Sequence, residues 1–173
     1  MVKLADQSTP PILKVKQNSI ESRNLSAMSP ELQPGLRFEW RYTVPPRATV
    51  PALYHDTAFC RDMPEVLATG YLVGMMELAC VNGMLPYLDW PQEQSLGTAV
   101  DFHHLAPTPP GMTLTIRGEV TDVDGQRVRF RVEAWDEVER ICEGTHERCV
   151  IDTQRFNARV ARKVAGKTAG VAP

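Results

Sequence analysis

Residues 66–85, VLATGYLVGMMELACVNGML, form the apolar stretch that decides the fold of this chain. Just before it, residues 62–65 (DMPE) combine an N-cap, an early helical proline and a capping glutamate, so a helix is predicted to begin near Pro64. Pro86 is predicted to stop it. Because the stretch is apolar nearly all round, the pattern indicates a central, buried helix.

Glu77 is the only charged side chain in this stretch and is therefore a candidate catalytic group. Burying a carboxylate without partners is costly, so such a group either accepts hydrogen bonds or has a raised pKa, and both are typical of working sites. The alternative is a structural glutamate satisfied within a polar network. The sequence leaves both interpretations open.

Five other segments have the alternation or the residue types of β-strands. They are residues 36–44, 95–105, 112–123, 126–135 and 140–151. Asp124-Gly125 predicts a hairpin between the third and fourth of them, and alternation places Phe38, Trp40, Tyr42 and Val44 on one face of the first. One antiparallel sheet that curls over one long apolar helix accommodates them, which is an α+β, hot-dog arrangement. A single sheet of this kind leaves an edge uncovered, so a homodimer is predicted.

Composition argues against several classes of function. The formal net charge of -2 and the pI near 6.1 give no basic footprint for nucleic acid. The apolar stretch contains polar residues and three glycines, so a membrane span is not expected. Four cysteines without metal-ligand spacing, and without a preceding signal peptide, predict reduced thiols in a cytoplasmic protein. No phosphate loop, metal cluster or GxSxG motif is present, and no cofactor is expected.

The chain divides into three predicted regions. Residues 1–35 are rich in Pro, Ser, Gln and Lys and lack periodicity, so they are predicted to be a disordered tail. Residues 36–157 form the predicted hot-dog domain. Residues 158–173 form a basic C-terminal tail, with a short helix that frays.

His104 is the second candidate for chemistry. A period of two in residues 95–105 places it on the apolar face of that strand with Thr98 and Phe102. If this face meets the helix, His104 points toward the side that carries Glu77, and the two side chains suit acid and base catalysis. The alternative is a histidine satisfied in the core.

Thr69 and Gly70 precede Glu77 on the predicted helix. At about 1.5 Å of rise per residue, Thr69 stands about 12 Å from Glu77 along a straight helix. Either the helix bends or breaks at Thr69-Gly70 and presents free backbone N–H groups, or the site combines groups from two subunits. Both arrangements suit a carbonyl-binding site. The alternative for Thr69 is a hydroxyl that bonds back to its own helix.

Arg148 shares a face with His146 by alternation and is a candidate clamp for a carboxylate or a phosphate. Its alternative role is a structural ion pair with Glu77 or Glu147. Cys80 lies one turn from Glu77, but in a buried helix a cysteine more often packs than reacts.

Four motifs in this order resemble one family. They are MPEVLATGYLVGMMELAC (63–80), SLGTAV (95–100), GTHER (144–148) and FNARV (156–160). Together they resemble the hot-dog acyl-CoA thioesterases of the fluoroacetyl-CoA thioesterase type, over roughly Leu36 to Val160. The resemblance implies a homodimer that hydrolyses acyl-CoA thioesters without a metal.

The resemblance also implies site residues. The family's catalytic threonine, glutamate and histidine fall on Thr69, Glu77 and His104. Its glycine beside the acyl group falls on Gly97, and its arginine near the substrate falls on Arg148.

The segment that leads into Pro64-Glu65-Val66 and forms the family's lid over the acyl group departs from the family pattern. The fluoroacetyl-specific enzyme has two phenylalanines there, and this sequence has Cys60 and Met63, with Phe59 one residue away. Strict specificity for fluoroacetyl-CoA is therefore not expected. Met63 adapts to varied shapes and, with Gly70, is a candidate substrate-binding residue for a broader or different short acyl group.

The leading hypothesis is hydrolysis of a short-chain or substituted acyl-CoA by Thr69, Glu77 and His104, with Glu77 as base or nucleophile. One alternative is hydration of an enoyl-CoA, although the usual Asp/His motif is missing. The other is a non-catalytic module that binds acyl-CoA or an acyl carrier.

Overall fold

The computed structural model describes residues 28–169 of the 173-residue chain. Most of the predicted N-terminal tail, residues 1–27, lies outside the described residues. The strands are β1 (Arg37–Thr43), β2 (Glu93–His104), β3 (Thr113–Asp124), β4 (Arg127–Trp135) and β5 (Arg140–Asp152). The helices are α1 (Val50–Leu53), α2 (Thr69–Met84) and α3 (Thr153–Ala169), with short 3-10 helices at Pro46–Ala48, Ala58–Asp62 and Leu85–Tyr87.

The five strands form one antiparallel sheet in the order β1-β3-β4-β5-β2. Each predicted strand is present, and the predicted hairpin joins β3 to β4 through Asp124-Gly125, where Gly125 has a φ of 57° that favours glycine. The long helix α2 packs across one face of this sheet. The predicted α+β hot-dog arrangement is confirmed.

The core lies between α2 and alternate positions of the strands. From the sheet it contains Leu114, Ile116, Val120, Val128, Phe130, Val132 and Ala134, all fully buried. From α2 it contains Leu72, Met76, Ala79, Cys80 and Met84, whose spacing of three or four residues marks one face of a helix. The opposite face is open, since Leu78 is 38% exposed. The prediction of burial all round the helix is therefore wrong for the single chain.

Helix α2 begins at Thr69, five residues after the predicted start at Pro64, with Ala68 as its N-cap. The backbone before it is extended, because the N–H of Leu67 donates to Thr108 O (2.8 Å) and the N–H of Ala68 to Ala48 O (2.9 Å). These tertiary hydrogen bonds, with the burial of both side chains, prevail over the local capping signal. The helix passes at Met84 into the 3-10 helix that contains Pro86, so the predicted stop is confirmed.

Both ends of the predicted domain continue into ordered structure. Residues 28–35 contact the domain, where Leu32 is only 4% exposed and the N–H of Gly35 donates to Val120 O (2.8 Å). At the other end, Asp152 Oδ1 accepts from the N–H of Arg155 (2.7 Å) and so caps α3, which is longer than the short helix predicted. The domain boundaries at residues 36 and 157 stay predictions. Among the described helices, none has the length and apolarity needed to cross a membrane.

Candidate active site

Thr69 and His104 form the first half of the site. Thr69 is the first residue of α2, His104 is the last residue of β2, and Thr69 Oγ1 lies 2.9 Å from His104 Nδ1 in a hydrogen bond. Among residues 28–169, no side chain caps this end of α2 by a hydrogen bond. The first backbone N–H groups of the helix have no acceptor within it, so they are available as donors beside the Thr69 hydroxyl although the helix is not broken there.

Burial favours the neutral form of His104. Burial lowers its pKa from the ordinary value of 6.5, and the backbone of Ala106 partly opposes that shift. Its Nε2 is buried and has no hydrogen-bond partner within residues 28–169. A neutral imidazole beside a hydroxyl can exchange a proton with it, which suits acid and base catalysis.

Glu77 belongs to the second half of the site. Its Oε1 lies 3.7 Å from His146 Nε2 and 4.0 Å from Arg148 Nη1, and within the described chain the carboxylate accepts no hydrogen bond. The side chain is 37% exposed, so the prediction of a buried carboxylate is wrong for the single chain. The carboxylate is thus placed by nearby charge, and its lone pairs are free for water or substrate.

Gly97 meets Glu77 because β2 has a bulge. Gly97 pairs with Arg148 and Ala99 with Glu147, which leaves Thr98 as the extra residue. The Thr98 hydroxyl donates to Glu147 Oε1 (2.9 Å) on the outer face, so its predicted place beside His104 is wrong. The bulge instead brings Gly97 to the helix-facing side, where a Cβ would collide with Glu77 Oε1.

Arg148 lies beneath Glu77 with its guanidinium held by three hydrogen bonds. Nε donates to Ser95 Oγ (2.9 Å), Nη2 to Ser95 O (2.8 Å) and Nη1 to His146 Nε2 (3.1 Å). Of the two ion-pair partners considered from the sequence, Glu77 is the one it faces. Glu147 is on the outer face, with its Oε2 3.0 Å from Arg129 Nε.

His146 is a site residue that the sequence argument did not select. Arginine has no acceptor, so His146 Nε2 must accept from Arg148, and Nδ1–H donates to Ala99 O at 2.8 Å. Burial, with the charge of Arg148, lowers its pKa, while the hydrogen bond to Ala99 and the charge of Glu77 oppose the shift. Its alternation with Arg148 on β5 was the available signal.

The two halves of the site are separate within one chain. Thr69 and Glu77 lie on one continuous helix, and eight residues of α2 put them about 12 Å apart. The structure brings Thr69 to His104, and Glu77 to Gly97 and Arg148, but it does not bring the halves into contact. Of the two arrangements considered from the sequence, a helix broken at Thr69-Gly70 is therefore not observed.

The segment before α2 covers the helix N-terminus. Leu53 Cδ2 and the Tyr54 hydroxyl lie 3.5 Å and 3.7 Å from the position of a Cβ on Gly70. Met63 is 42% exposed and Cys60 is buried, while Phe59 is 73% exposed and points to solvent. Tyr54, and not Phe59, is thus an aromatic side chain beside the Thr69-Gly70 end of the site.

Cys80 does not add a nucleophile. It is fully buried, and burial raises its pKa to about 12, so it packs as a neutral thiol. Across residues 28–169, no group of three His, Cys, Asp or Glu side chains is arranged to hold a metal ion.

Comparison with known proteins relates this arrangement to thioesterases. A profile of the family described as fluoroacetyl-CoA-specific thioesterase matches residues 54–154. The fluoroacetyl-CoA thioesterase of Streptantibioticus cattleyicolor is 48% identical over 136 residues, which are 79% of this chain and 97% of that protein.

Solved structures give the same result. A structure of a fluoroacetyl-CoA thioesterase superposes with a TM-score of 0.73 at 48% identity, covering 76% of this chain and 97% of that one. A thioesterase superfamily member from Thermus thermophilus superposes with a TM-score of 0.69 at 28% identity, covering 79% of this chain and 96% of that one.

Proposed function

The chain belongs to the fluoroacetyl-CoA-specific thioesterase family and is an acyl-CoA thioester hydrolase, and we propose that it acts on a short-chain or substituted acyl group through Thr69, Glu77 and His104. The observation that carries this assignment of residues is the Thr69–His104 hydrogen bond at the free N-terminus of α2. A carbonyl oxygen that develops negative charge requires hydrogen-bond donors close to it. The Thr69 hydroxyl and the unpaired N–H groups of α2 are such donors, and they lie beside the neutral imidazole of His104.

In the proposed reaction, water or Glu77 attacks the thioester carbonyl. With Glu77 as base, it removes a proton from water, the hydroxide adds to the carbonyl carbon, and Thr69 and the helix N–H groups stabilise the oxyanion. Collapse breaks the C–S bond, and His104 relays the proton that Glu77 took from water to the departing CoA thiolate, which leaves as the thiol. With Glu77 as nucleophile, a mixed anhydride forms first and water then cleaves it. Either route uses side chains and water, so the proposal includes no cofactor beyond the CoA of the substrate.

We propose that the complete site forms between two copies of the chain. Thr69–His104 of one copy and Glu77 of the other would then meet, since one helix holds these groups about 12 Å apart. Edge strand β2 supports this pairing, because Leu96 and Val100 are 38% and 48% exposed on it. The exposed face of α2, which carries Leu78, also supports the pairing of two copies. A homodimer covers this apolar surface.

The proposed acyl preference follows from the lid. Met63 is exposed and flexible, and Tyr54 is near Gly70, so the entrance is not closed by the two phenylalanines of the fluoroacetyl-specific enzyme. We expect activity on several short acyl groups without strict preference for the fluorinated one. The proposed location is the cytoplasm, which suits four free cysteines.

Free-thiol release from a panel of acyl-CoAs, with the Glu77→Gln protein in parallel, tests the proposal. The panel contains acetyl, fluoroacetyl, propionyl, malonyl and aromatic thioesters. We expect release from several short members and none from the variant. Tight binding without release would indicate a binding module, and a modified product that keeps its thioester would indicate a hydratase. A strong fluoroacetyl preference would show that the lid argument is wrong.

A further inference from the structure

His146 stands between the two charged side chains of the Glu77 half of the site. Its side chain is 0% exposed, and its ring packs between Phe102 and Phe130 with centroids 6.1 Å and 6.4 Å away. Both ring nitrogens are used, one toward Ala99 O and the other toward Arg148. Because burial and two hydrogen bonds fix the ring, it is a rigid support for Arg148.

Arg148 is kept just outside hydrogen-bond distance of Glu77. Its Nη1 is 4.0 Å from Glu77 Oε1 but 3.1 Å from His146 Nε2, so one of the two Nη1 hydrogens that could reach the carboxylate is directed to the imidazole. The Ser95 contacts hold the other side of the guanidinium. An Arg148 without the imidazole acceptor would be free to close onto Glu77.

A direct arginine contact would weaken a catalytic carboxylate. At 4.0 Å Arg148 acts on Glu77 by charge alone, whereas a hydrogen bond from the guanidinium would further stabilise the charged form and occupy a lone pair of Oε1. We propose that His146 is a positioning residue that holds Arg148 out of hydrogen-bond distance of Glu77, so that the lone pairs of Oε1 stay free for water or the thioester carbonyl. This inference rests on the proposed function of Glu77.

The bond from His146 to Ala99 adds a second positioning effect. Ala99 is the residue that follows the bulge of β2, and Gly97 on the other side of the bulge makes the space for Glu77 Oε1. His146 therefore fixes the position of the Arg148 guanidinium beneath the Glu77 carboxylate and the position of strand β2 beside it. The titratable groups that act on His146 are Arg148 and Glu77. Cys80 interacts with that pair and stays a neutral thiol.

Two amide variants separate the roles of the ring nitrogens. The amide of His146→Gln extends to the position of Nε2 and offers an oxygen to Arg148. The shorter amide of His146→Asn matches Nδ1, so it keeps a donor for Ala99 and removes the acceptor for Arg148. Crystal structures of both proteins and the pH dependence of kcat/KM for a short acyl-CoA are the measurements.

In His146→Asn we expect Arg148 Nη1 to move from 4.0 Å to hydrogen-bond distance of Glu77, about 3 Å. The acid limb of the kcat/KM profile moves to lower pH by about one unit, and kcat/KM at the optimum falls about tenfold. In His146→Gln the separation and the acid limb stay close to the parent. A purely structural His146 would lower the melting temperature in both variants without moving the acid limb.

An unchanged Arg148–Glu77 separation in His146→Asn overturns the inference, even where activity falls. If the parent protein releases no thiol from any acyl-CoA, the proposed function has failed, and the crystal structures still decide the positioning role. Should His146→Asn not fold, His146→Phe keeps a ring between Phe102 and Phe130 while removing the acceptor, and the same separation is measured there.

Discussion

Glu77 Oε1 occupies the space that a side chain at Gly97 would fill. A Cβ built on Gly97 collides with this oxygen and lies 3.2 Å from His146 Cε1. The helix and the edge strand thus approach closely only because residue 97 is a glycine on the inner side of a β-bulge. The position of the Glu77 carboxylate therefore depends on residue 97 having no side chain.

Gly97→Ala should therefore displace the carboxylate. A shift of about 1 Å in a catalytic group is enough to lower activity by up to about 100-fold, so we expect kcat/KM to fall by at least tenfold while the protein remains folded. Gly166→Ala, at an open position on α3, is the matched control and should keep parent activity. Parent-level turnover in Gly97→Ala would contradict the close fit.

Glu77→Gln should lose activity without losing much stability. The amide is close in shape to the carboxylate, and the parent side chain is 37% exposed and accepts no hydrogen bond within the described chain. Removing a base or a nucleophile lowers kcat by about 100-fold or more, whereas the free energy of unfolding should change by less than about 1 kcal/mol. Thiol release measures the loss of activity, and urea denaturation measures the change in the free energy of unfolding. A large loss of stability with nearly full turnover would instead assign Glu77 to a structural pair with Arg148.

The sequence predicted the sheet well because the strands carry strict alternation. In β1, Phe38, Trp40 and Tyr42 share one face as predicted, and this face is less exposed than the other and packs against the core. The Asp124-Gly125 hairpin followed from local turn chemistry alone. Alternation and turn residues involve only neighbouring positions of the chain, so one sequence is enough to identify them.

The errors arose where tertiary contacts prevail over local patterns. The bulge after Gly97 moves Thr98 to the outer face, and no rule of alternation shows where an extra residue enters a strand. The start of α2 moved to Thr69 because Leu67 and Ala68 hydrogen-bond to distant backbone. The role of His146 depends on a tautomer fixed by Ala99 and Arg148, which are far apart in the sequence.

Stability should fall as the pH drops through and below about 6.5. Burial lowers the pKa of both His104 and His146 from 6.5, so the unfolded chain binds protons that the folded chain does not. The stabilisation is fully present above the unfolded pKa and is lost as the pH falls through the folded values. Urea midpoints measured between about pH 5 and pH 7 should decrease toward acid. His146→Gln, which cannot titrate, should show a flatter dependence, and a slope equal to that of the parent would contradict this account.

Met63→Phe should make the enzyme more selective for fluoroacetyl over acetyl thioesters. Residue 63 is 42% exposed, so a larger ring fits there without disturbing the core. Cys60→Phe is the contrasting change, because Cys60 is only 6% exposed and an added ring there overpacks the interior by about 1–3 kcal/mol. The ratio of kcat/KM values for the two substrates checks the first variant and thermal denaturation the second. An unchanged ratio in Met63→Phe would show that residue 63 does not contact the acyl group.

The most direct test of the account is complementation between two inactive proteins, Thr69→Ala and Glu77→Gln. When equal amounts are unfolded together and refolded, half of the dimers contain one chain of each kind. If each site takes Thr69–His104 from one copy and Glu77 from the other, one of the two sites in such a dimer is intact, and the mixture should regain about a quarter of the parent thiol-release activity. Each variant refolded alone should stay inactive. Absence of any recovery in a mixture that contains the mixed dimer would contradict a site shared between two copies.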